Sequence, residues 1–287
     1  MVDEASLEPV CRVGQAQRVS AGQGGVWWRE AIELLSADTE HWIVATLILL
    51  ACGLLVGLAC AFVPYIGDLL TGLFVPVFSV GLLYLAYRVT YGHALVYRDV
   101  LIGLRQRTKA LLLAGAAQVS LQVIGSLALL IVIGMSQSSV TMADFRMPAE
   151  QVDISGSLGV ILFLVMLLAM FFYVAATWFQ PALVFFGERG PVQALKQSLH
   201  AVLINWRAFT LYGLVSVGLS IVLVAVFAVL FSLINLWLGG MLGVLAHILV
   251  GIAALATSLF FIALMSLTIY TSFRDIFGLE ADTGYVL

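Results

Sequence analysis

The sequence has few charged side chains: Asp, Glu, Lys and Arg make up 10% of its 287 residues, whereas apolar residues make up 62% and the mean hydropathy is +1.10. Soluble domains contain about 25% charged residues, because their surfaces face water. So small a charged fraction excludes a soluble globular protein. The sequence also lacks a basic surplus, since its formal net charge is −3. Nucleic acid is therefore not expected as a partner.

Cysteines and catalytic motifs are also scarce. The three cysteines are Cys11, Cys52 and Cys60, and the last two lie within one apolar run. We interpret them as small hydrophobic residues and not as a disulfide framework or a metal site. The motifs HExxH, GxSxG, GxxxxGKS/T and CxxC do not occur in the sequence. The sequence therefore predicts no catalytic residue, cofactor or metal site, and we expect a protein that is not an enzyme.

Long apolar runs dominate what is present. Six of them are long enough to cross a bilayer, at about residues 43–63, 69–87, 110–135, 158–179, 209–235 and 241–270. Backbone amides inside lipid must pair within their own segment, so each run is predicted to be a helix. The sequence thus predicts an all-α integral membrane fold, a six-transmembrane-helix bundle over residues 25–278. We expect a disordered or loosely ordered N-terminal tail over residues 1–24 and a C-terminal tail over residues 279–287.

The basic residues indicate the orientation of these spans. With six spans, 12 of the 13 Lys and Arg residues fall on the side of the two termini, and only Arg146 falls on the other. The positive-inside rule places the basic side in the cytoplasm, so both termini are expected there. The longest loop of the opposite side, residues 136–157, is interpreted as a solvated connector, with a small lid as the alternative.

Three segments on the basic side are predicted to be amphipathic helices that lie in the membrane interface. They cover residues 26–38, 94–107 and 192–203, and Gly190-Pro191 is the expected start of the last. Trp27, Trp28 and Trp42 suit the depth of the lipid headgroups. Membrane lipids are the expected partners, including anionic headgroups at the cytoplasmic face, and a protein partner is left unknown. The candidate interface residues there are Arg98, Lys196, Arg207, Arg274 and Asp275.

Two of these segments match at a constant offset of 98 residues. Gly92 and Gly190, Leu101 and Leu199, and Gly115 and Gly213 are among the matching pairs. One interpretation is a parallel internal repeat of span, interfacial helix and span. The other is chance, because apolar sequences align easily.

Polar and small residues inside the spans are the remaining candidates. Gln118, Gln122 and His247 are either a polar site near mid-membrane or ordinary interhelical hydrogen-bonding groups. Four glycines at helical spacing are predicted to pack helices together: Gly53, Gly57, Gly243 and Gly251. Asp275 is expected to pair with Arg98, Lys196 or Arg207, while Arg274 caps the last span.

A set of short motifs carries a family resemblance. They are Pro64-Tyr65-Ile66-Gly67, Phe179-Gln180-Pro181-Ala182, Trp206-Arg207-Ala208-Phe209 and the stretch from Tyr270 to Gly278. The chain resembles uncharacterised six-span inner-membrane proteins of Gram-negative bacteria. It is distantly similar to the YciC-like proteins and to the membrane domain fused to some glycerophosphodiester phosphodiesterases. The resemblance implies the six-span architecture and a bacterial inner-membrane location only, because the family has no agreed activity. The phosphodiesterase activity is not carried over, since its catalytic domain is not in this sequence.

Two functions follow as hypotheses. The first is a non-enzymatic accessory, scaffold or envelope-maintenance protein, since packing features are abundant and polar groups inside the spans are few. The second is a small transporter or permease, in which Gln118, Gln122 and His247 would meet in a cavity.

Overall fold

The computed structural model describes residues 11–64, 66–143, 154–238 and 240–281. Its helices are α1 Gln23–Ala37, α2 Thr39–Ala61, α3 Gly67–Thr90, α4 Ile102–Arg105, α5 Thr108–Ala143, α6 Ile154–Thr177, α7 Gln180–Phe185, α8 Pro191–Ile204, α9 Trp206–Trp237 and α10 Gly240–Phe277. In this part of the chain, six helices are long and apolar enough to cross a membrane. The predicted six-helix membrane fold is confirmed. The predicted loop of residues 136–157 is shorter than expected, because α5 continues to Ala143 and α6 begins at Ile154. The connector and lid interpretations of the remainder, residues 144–153, lie outside the described residues.

Local sequence sets the helix boundaries. Asp38 leaves helical geometry, with φ −155° and ψ 58°, and separates α1 from α2. α8 begins at Pro191 after Gly190, as predicted. Proline is favoured at the first helical position because its missing N–H would have no partner there. α7 is a separate helix after α6, and Pro181 lies in its first turn.

The buried core occupies only one half of the bundle. Its residues lie within 27–46, 77–87, 100–114, 175–212 and 263–279. These stretches are the ends of the spans beside α1, α4, α7 and α8, and they are called the packed half below. The 12 basic residues of the termini-bearing side lie at this same end, which is called the basic end.

The remaining lengths of the spans are called the open half: residues 47–61, 67–75, 119–131, 159–172, 214–237 and 240–258. Among its residues, only Gly67, Ile234 and Gly243 are buried. α6 is the extreme case, because every residue from 163 to 172 is exposed. Ten residues of a helix cover every face, so no described helix buries a face of this stretch.

The described part of the N-terminal tail is attached to the packed half. Gly14 N–H donates to the Phe277 carbonyl at 2.9 Å, and Gln17 N–H donates to the Ile276 carbonyl at 3.0 Å. Cys11–Arg12 also pairs in antiparallel register with Glu280–Ala281 of the C-terminal tail. The prediction of a loosely ordered tail over residues 1–24 is therefore wrong for this part, because its backbone groups bond to the end of α10.

α1 packs against the spans. It contacts α9 and α10, and Trp27, Trp28 and Trp42 are all buried. The ring of Trp27 lies 5.3 Å from that of Phe209, and Trp28 stacks on Tyr212 at 5.6 Å. The tryptophans therefore attach this segment to the protein, and its position in the membrane interface stays a prediction.

The two short segments of the basic end differ from each other. Residues 97–105 form a 3₁₀ turn followed by the single turn of α4, and not the predicted amphipathic helix. α8 is a full helix, but it buries its small residues Ala194, Ser198 and Ala201 and leaves Val192 and Leu203 exposed. Val192 and Leu203 are therefore free to contact lipid.

The structure supports the internal repeat. In the second copy, Ser198 Oγ donates to the Ala175 carbonyl at 2.8 Å and accepts from Phe179 N–H at 3.0 Å. In the first copy, 98 residues earlier, the positions of Ser198, Ala175 and Phe179 are occupied by Val100, Val77 and Gly81. There the Val100 carbonyl lies so close to Gly81 that a Cβ atom could not be accommodated. Both copies thus pack a short segment on the preceding span at matching positions.

Candidate functional site

Gln118 belongs to a buried hydrogen-bond network of the packed half. Its Nε2 donates to Gln180 Oε1 at 2.7 Å. Gln180 Nε2 in turn faces the carbonyl oxygens of Ala114 and Pro191, each at 3.3 Å. Both glutamine side chains are buried. The network ties α5 to the break between α6 and α7, which is the interhelical hydrogen-bonding role that the sequence left open.

The other two candidates of the polar site have different surroundings. Gln122 is exposed, four residues further along α5. His247 Nδ1 lies 2.7 Å from the Gly243 carbonyl of its own helix, and its ring lies 5.5 Å from that of Phe231. The structure therefore does not bring Gln118, Gln122 and His247 into one site.

The predicted glycine contacts are wrong for three of the four positions. A Cβ atom on Gly53, Gly57 or Gly251 would meet nothing within 4 Å. Gly243 is buried, but the nearest atom is the Leu238 carbonyl of the turn just before α10, at 2.7 Å. The physical reason is that a small residue permits close approach without providing a neighbour, and no other segment lies against these three glycines.

Other glycines make the close contacts that the sequence did not reveal. At Gly24, Gly81, Gly103 and Gly115, a Cβ atom would overlap a backbone carbonyl oxygen of another segment. The partners are residues of α9, the 3₁₀ turn and α3. Nothing in the local sequence separates these glycines from Gly53 or Gly57, because the signal is the neighbouring backbone.

Ion pairs connect the segments of the basic end, and one of them is largely buried. Arg88 pairs with Asp99, whose side chain is only 8% exposed. Arg107 Nη2 lies 2.5 Å from Glu188 Oε1, and its Nη1 donates to the Val184 carbonyl at 3.0 Å. These contacts join α3 to the 3₁₀ turn, and α5 to the segment after α7. None was predicted, because the partners are distant in sequence or face one another only after folding.

The Arg274-Asp275 pair docks α1 onto α10. Arg274 Nη2 donates to Glu30 Oε2 at 2.7 Å. Asp275 Oδ2 accepts from Trp27 Nε1 at 2.9 Å and from Gln23 Nε2 at 3.2 Å. The predicted partners of Asp275 are therefore wrong: α1 covers this part of α10, so its donors reach the carboxylate.

Several basic side chains remain without a carboxylate partner. Among the described residues, no ion pair is formed by Arg18, Arg98, Arg105, Lys109, Lys196 or Arg207. All six are exposed. Three of them belong to the predicted interface set, so the basic end presents free positive charge beside the spans.

Comparisons with known proteins identify no relative of this chain. Neither a scan against protein-family models nor searches of curated proteins and of solved structures find a match to this chain. The resemblance to the YciC-like proteins stays a prediction.

Proposed function

We propose that this multi-pass membrane protein is a non-enzymatic accessory or scaffold subunit, or an envelope-maintenance protein, of the bacterial inner membrane. The observation that carries the proposal is the exposure of α6 on every face over residues 163–172. Because this stretch of α6 is exposed on every face, it is available to another membrane protein. Its side chains there include Phe163, Met166, Met170 and Phe171, and Met and aromatic residues are enriched at protein interfaces.

The polar groups of the packed half support a structural role for the protein. Gln118 and Gln180 bond to each other, and Asp99 and Asp275 bond to side chains of neighbouring segments. Buried groups that are already paired with one another hold the basic end in one arrangement. The packed half can then set the relative positions of the six spans in the open half.

The transporter hypothesis has no comparable support. Its three residues have separate surroundings, with Gln118 bonded to Gln180, Gln122 exposed and His247 bonded to its own helix. It stays a prediction from the sequence.

Photo-crosslinking in native membranes tests the scaffold proposal. A photoreactive phenylalanine analogue would replace Leu167, which is 47% exposed in the centre of the free stretch of α6. The matched control replaces Leu203, which is 41% exposed but lies on α8. We expect a discrete adduct with a second protein at Leu167 and not at Leu203. Lipid adducts alone at Leu167, with the chain repeatedly recovered by itself in mild detergent, would contradict the proposal.

The proposed orientation has its own test. We propose that the basic end faces the cytoplasm, because 12 of the 13 basic residues lie there. A cysteine at Ala94, in a variant without native cysteines, should react with an impermeant thiol reagent only in inverted vesicles. A cysteine at Ser138 should react only from the other side. Labelling of both from one compartment would contradict the topology.

A further inference from the structure

A groove of about 600 Å³ lies at the basic end, between the N-terminal segment and the junction of α8 with α9. One wall consists of residues 18–21, and the other of residues 203–208. It is separate from the glutamine network and from the free stretch of α6. Neither the sequence motifs nor the proposed function assigns it a ligand.

Asn205 fixes the distance between the two walls. It is buried, and its Oδ1 accepts from Val19 N–H at 2.8 Å. Its Nδ2 donates to the carbonyls of Gln17 and Ala201, each at 3.0 Å. The Asn205 side chain therefore connects the two walls of the groove. The walls are already in place before a ligand binds, so binding does not have to order them.

Two arginines supply the charge of the groove. Arg18 lies on one wall and Arg207 on the other, and both are exposed. Neither forms an ion pair with a described carboxylate, whereas Arg88, Arg107 and Arg274 all do. Guanidinium groups match phosphate oxygens in geometry and charge, so two free arginines facing one groove suit a phosphate group.

The position of the groove identifies the source of that phosphate. Trp206 is the first residue of the spanning helix α9 and is 57% exposed, and the Arg207 guanidinium lies 5.4 Å from the centre of its ring. Exposed tryptophans at the ends of spans lie at the depth of lipid headgroups. The exposed Leu203 on the same wall adds an apolar contact.

We propose that this groove binds the phosphate headgroup of an anionic glycerophospholipid from the leaflet at the basic end. Arg18 and Arg207 hold the phosphate between the two walls, while Trp206 and Leu203 contact the glycerol and the upper acyl chain. The bound lipid links the N-terminal segment to α9. The inference does not depend on the scaffold function, since the lipid and the expected protein partner occupy different ends of the molecule.

Native mass spectrometry of the full-length protein in detergent tests the inference. Phosphatidylglycerol and phosphatidylcholine are titrated in parallel, and sn-glycerol 3-phosphate serves as a soluble phosphate. The groove variant carries Arg18→Gln and Arg207→Gln. The control variant carries Arg105→Gln and Lys109→Gln, which removes the same charge from exposed residues of the same end that form no ion pair with a described carboxylate.

We expect the protein to prefer phosphatidylglycerol, and the groove variant to lose about tenfold or more in affinity, as for a hydrogen bond to a charged group. The control variant should keep the original affinity. Equal losses in both variants would show unspecific charge attraction and overturn the proposal. Equal binding of both lipids, or equally tight binding of glycerol phosphate, would overturn it as well.

A photoactivatable phosphatidylglycerol gives a second measurement that needs no variant. In the unmodified protein, its crosslinks should map to peptides that contain residues 18–21 or 203–208. Crosslinks confined to other peptides of the basic end would contradict the assignment.

Discussion

Gly81 and Gly53 both lie in membrane-spanning helices, but a Cβ atom at the two positions would meet very different surroundings. At Gly81, in the packed half, it would overlap the Val100 carbonyl oxygen, whereas at Gly53, in the open half, it would meet nothing within 4 Å. Helices in lipid associate through close packing and hydrogen bonds, because apolarity alone does not distinguish a lipid neighbour from a protein neighbour. The packed half has these contacts, and the open half largely lacks them.

The aromatic residues differ in the same way. In the packed half, the ring of Phe273 lies 5.0 Å from that of Phe277, and Phe179 lies 5.5 Å from Phe277. In the open half, Phe163 and Phe171 are exposed. The same residue type therefore builds a core at one end and a lipid-accessible surface at the other. We infer that most of the folding stability resides in the packed half.

Removal of the buried Asp99 charge should have the largest effect. Asp99→Asn leaves Arg88, whose side chain is 25% exposed, without its carboxylate partner. Breaking a buried ion pair from one side costs about 3–5 kcal/mol. Asp68→Asn, at an exposed position at the start of α3, should cost little. Titration with sodium dodecyl sulfate, followed by far-UV circular dichroism, measures both, and similar midpoints for the two variants would contradict the comparison.

The two glycines provide the next test. Gly81→Ala forces a Cβ atom against the Val100 carbonyl and should destabilise the protein by about 1–3 kcal/mol, as overpacking does. Gly53→Ala should leave stability unchanged or raise it slightly, because alanine favours a helix and has free space there. Thermal unfolding in detergent gives the order of the two melting temperatures, and the reverse order would show that the halves are assigned wrongly.

The two glutamines of α5 sharpen the comparison within one helix. Gln118→Leu removes the donor to Gln180 Oε1 and should cost about 1–2 kcal/mol. Gln122→Leu changes an exposed side chain in the open half and should cost nothing. The free energy of unfolding from steric trapping in bicelles distinguishes them. A larger loss for Gln122→Leu would favour a polar site near mid-membrane.

His247 should give the smallest effect. Its side chain bonds to the Gly243 carbonyl of its own helix. His247→Leu should therefore change stability by less than about 0.5 kcal/mol, as for most surface substitutions. The same unfolding measurement checks this value, and a loss comparable to that of Gln118→Leu would show that the ring contact of His247 with Phe231 stabilises the fold more than expected.

The sequence predicted the spans but not which half of each span packs. Apolar runs mark every helix that can cross a bilayer, and Asp38 and Pro191 mark two of the boundaries. The open half is the more apolar of the two, and Asp68 is the only charged residue in its ranges, so hydropathy marks the spans but does not show where they pack. The spacing of Gly53 and Gly57 predicted a contact that is absent, because a small residue permits packing without providing a neighbour.

The candidate site shows the same limit. The sequence singled out Gln118 as a polar residue in an apolar run, but its partner Gln180 is 62 residues away. Gln180 belongs to one of the short motifs of the family resemblance, but nothing in the sequence marks it as the partner of Gln118. The sequence predicts that Asp275 needs a partner, but only the packing of α1 on α10 makes Trp27 the hydrogen-bond donor to its carboxylate. Pairings of this kind depend on tertiary packing, which one sequence does not contain.

The central claim is that the six spans are held together mainly in the packed half. Oxygen collision rates of nitroxide labels, measured by electron paramagnetic resonance on the purified protein in liposomes, test it most directly. Labels are placed one at a time at residues 163–172 of α6 and at residues 263–272 of α10. We predict high collision rates at every position of the α6 stretch and low rates along the α10 stretch, where most residues are buried. A 3.6-residue periodicity in the α6 stretch, with one face as inaccessible as α10, would contradict the account.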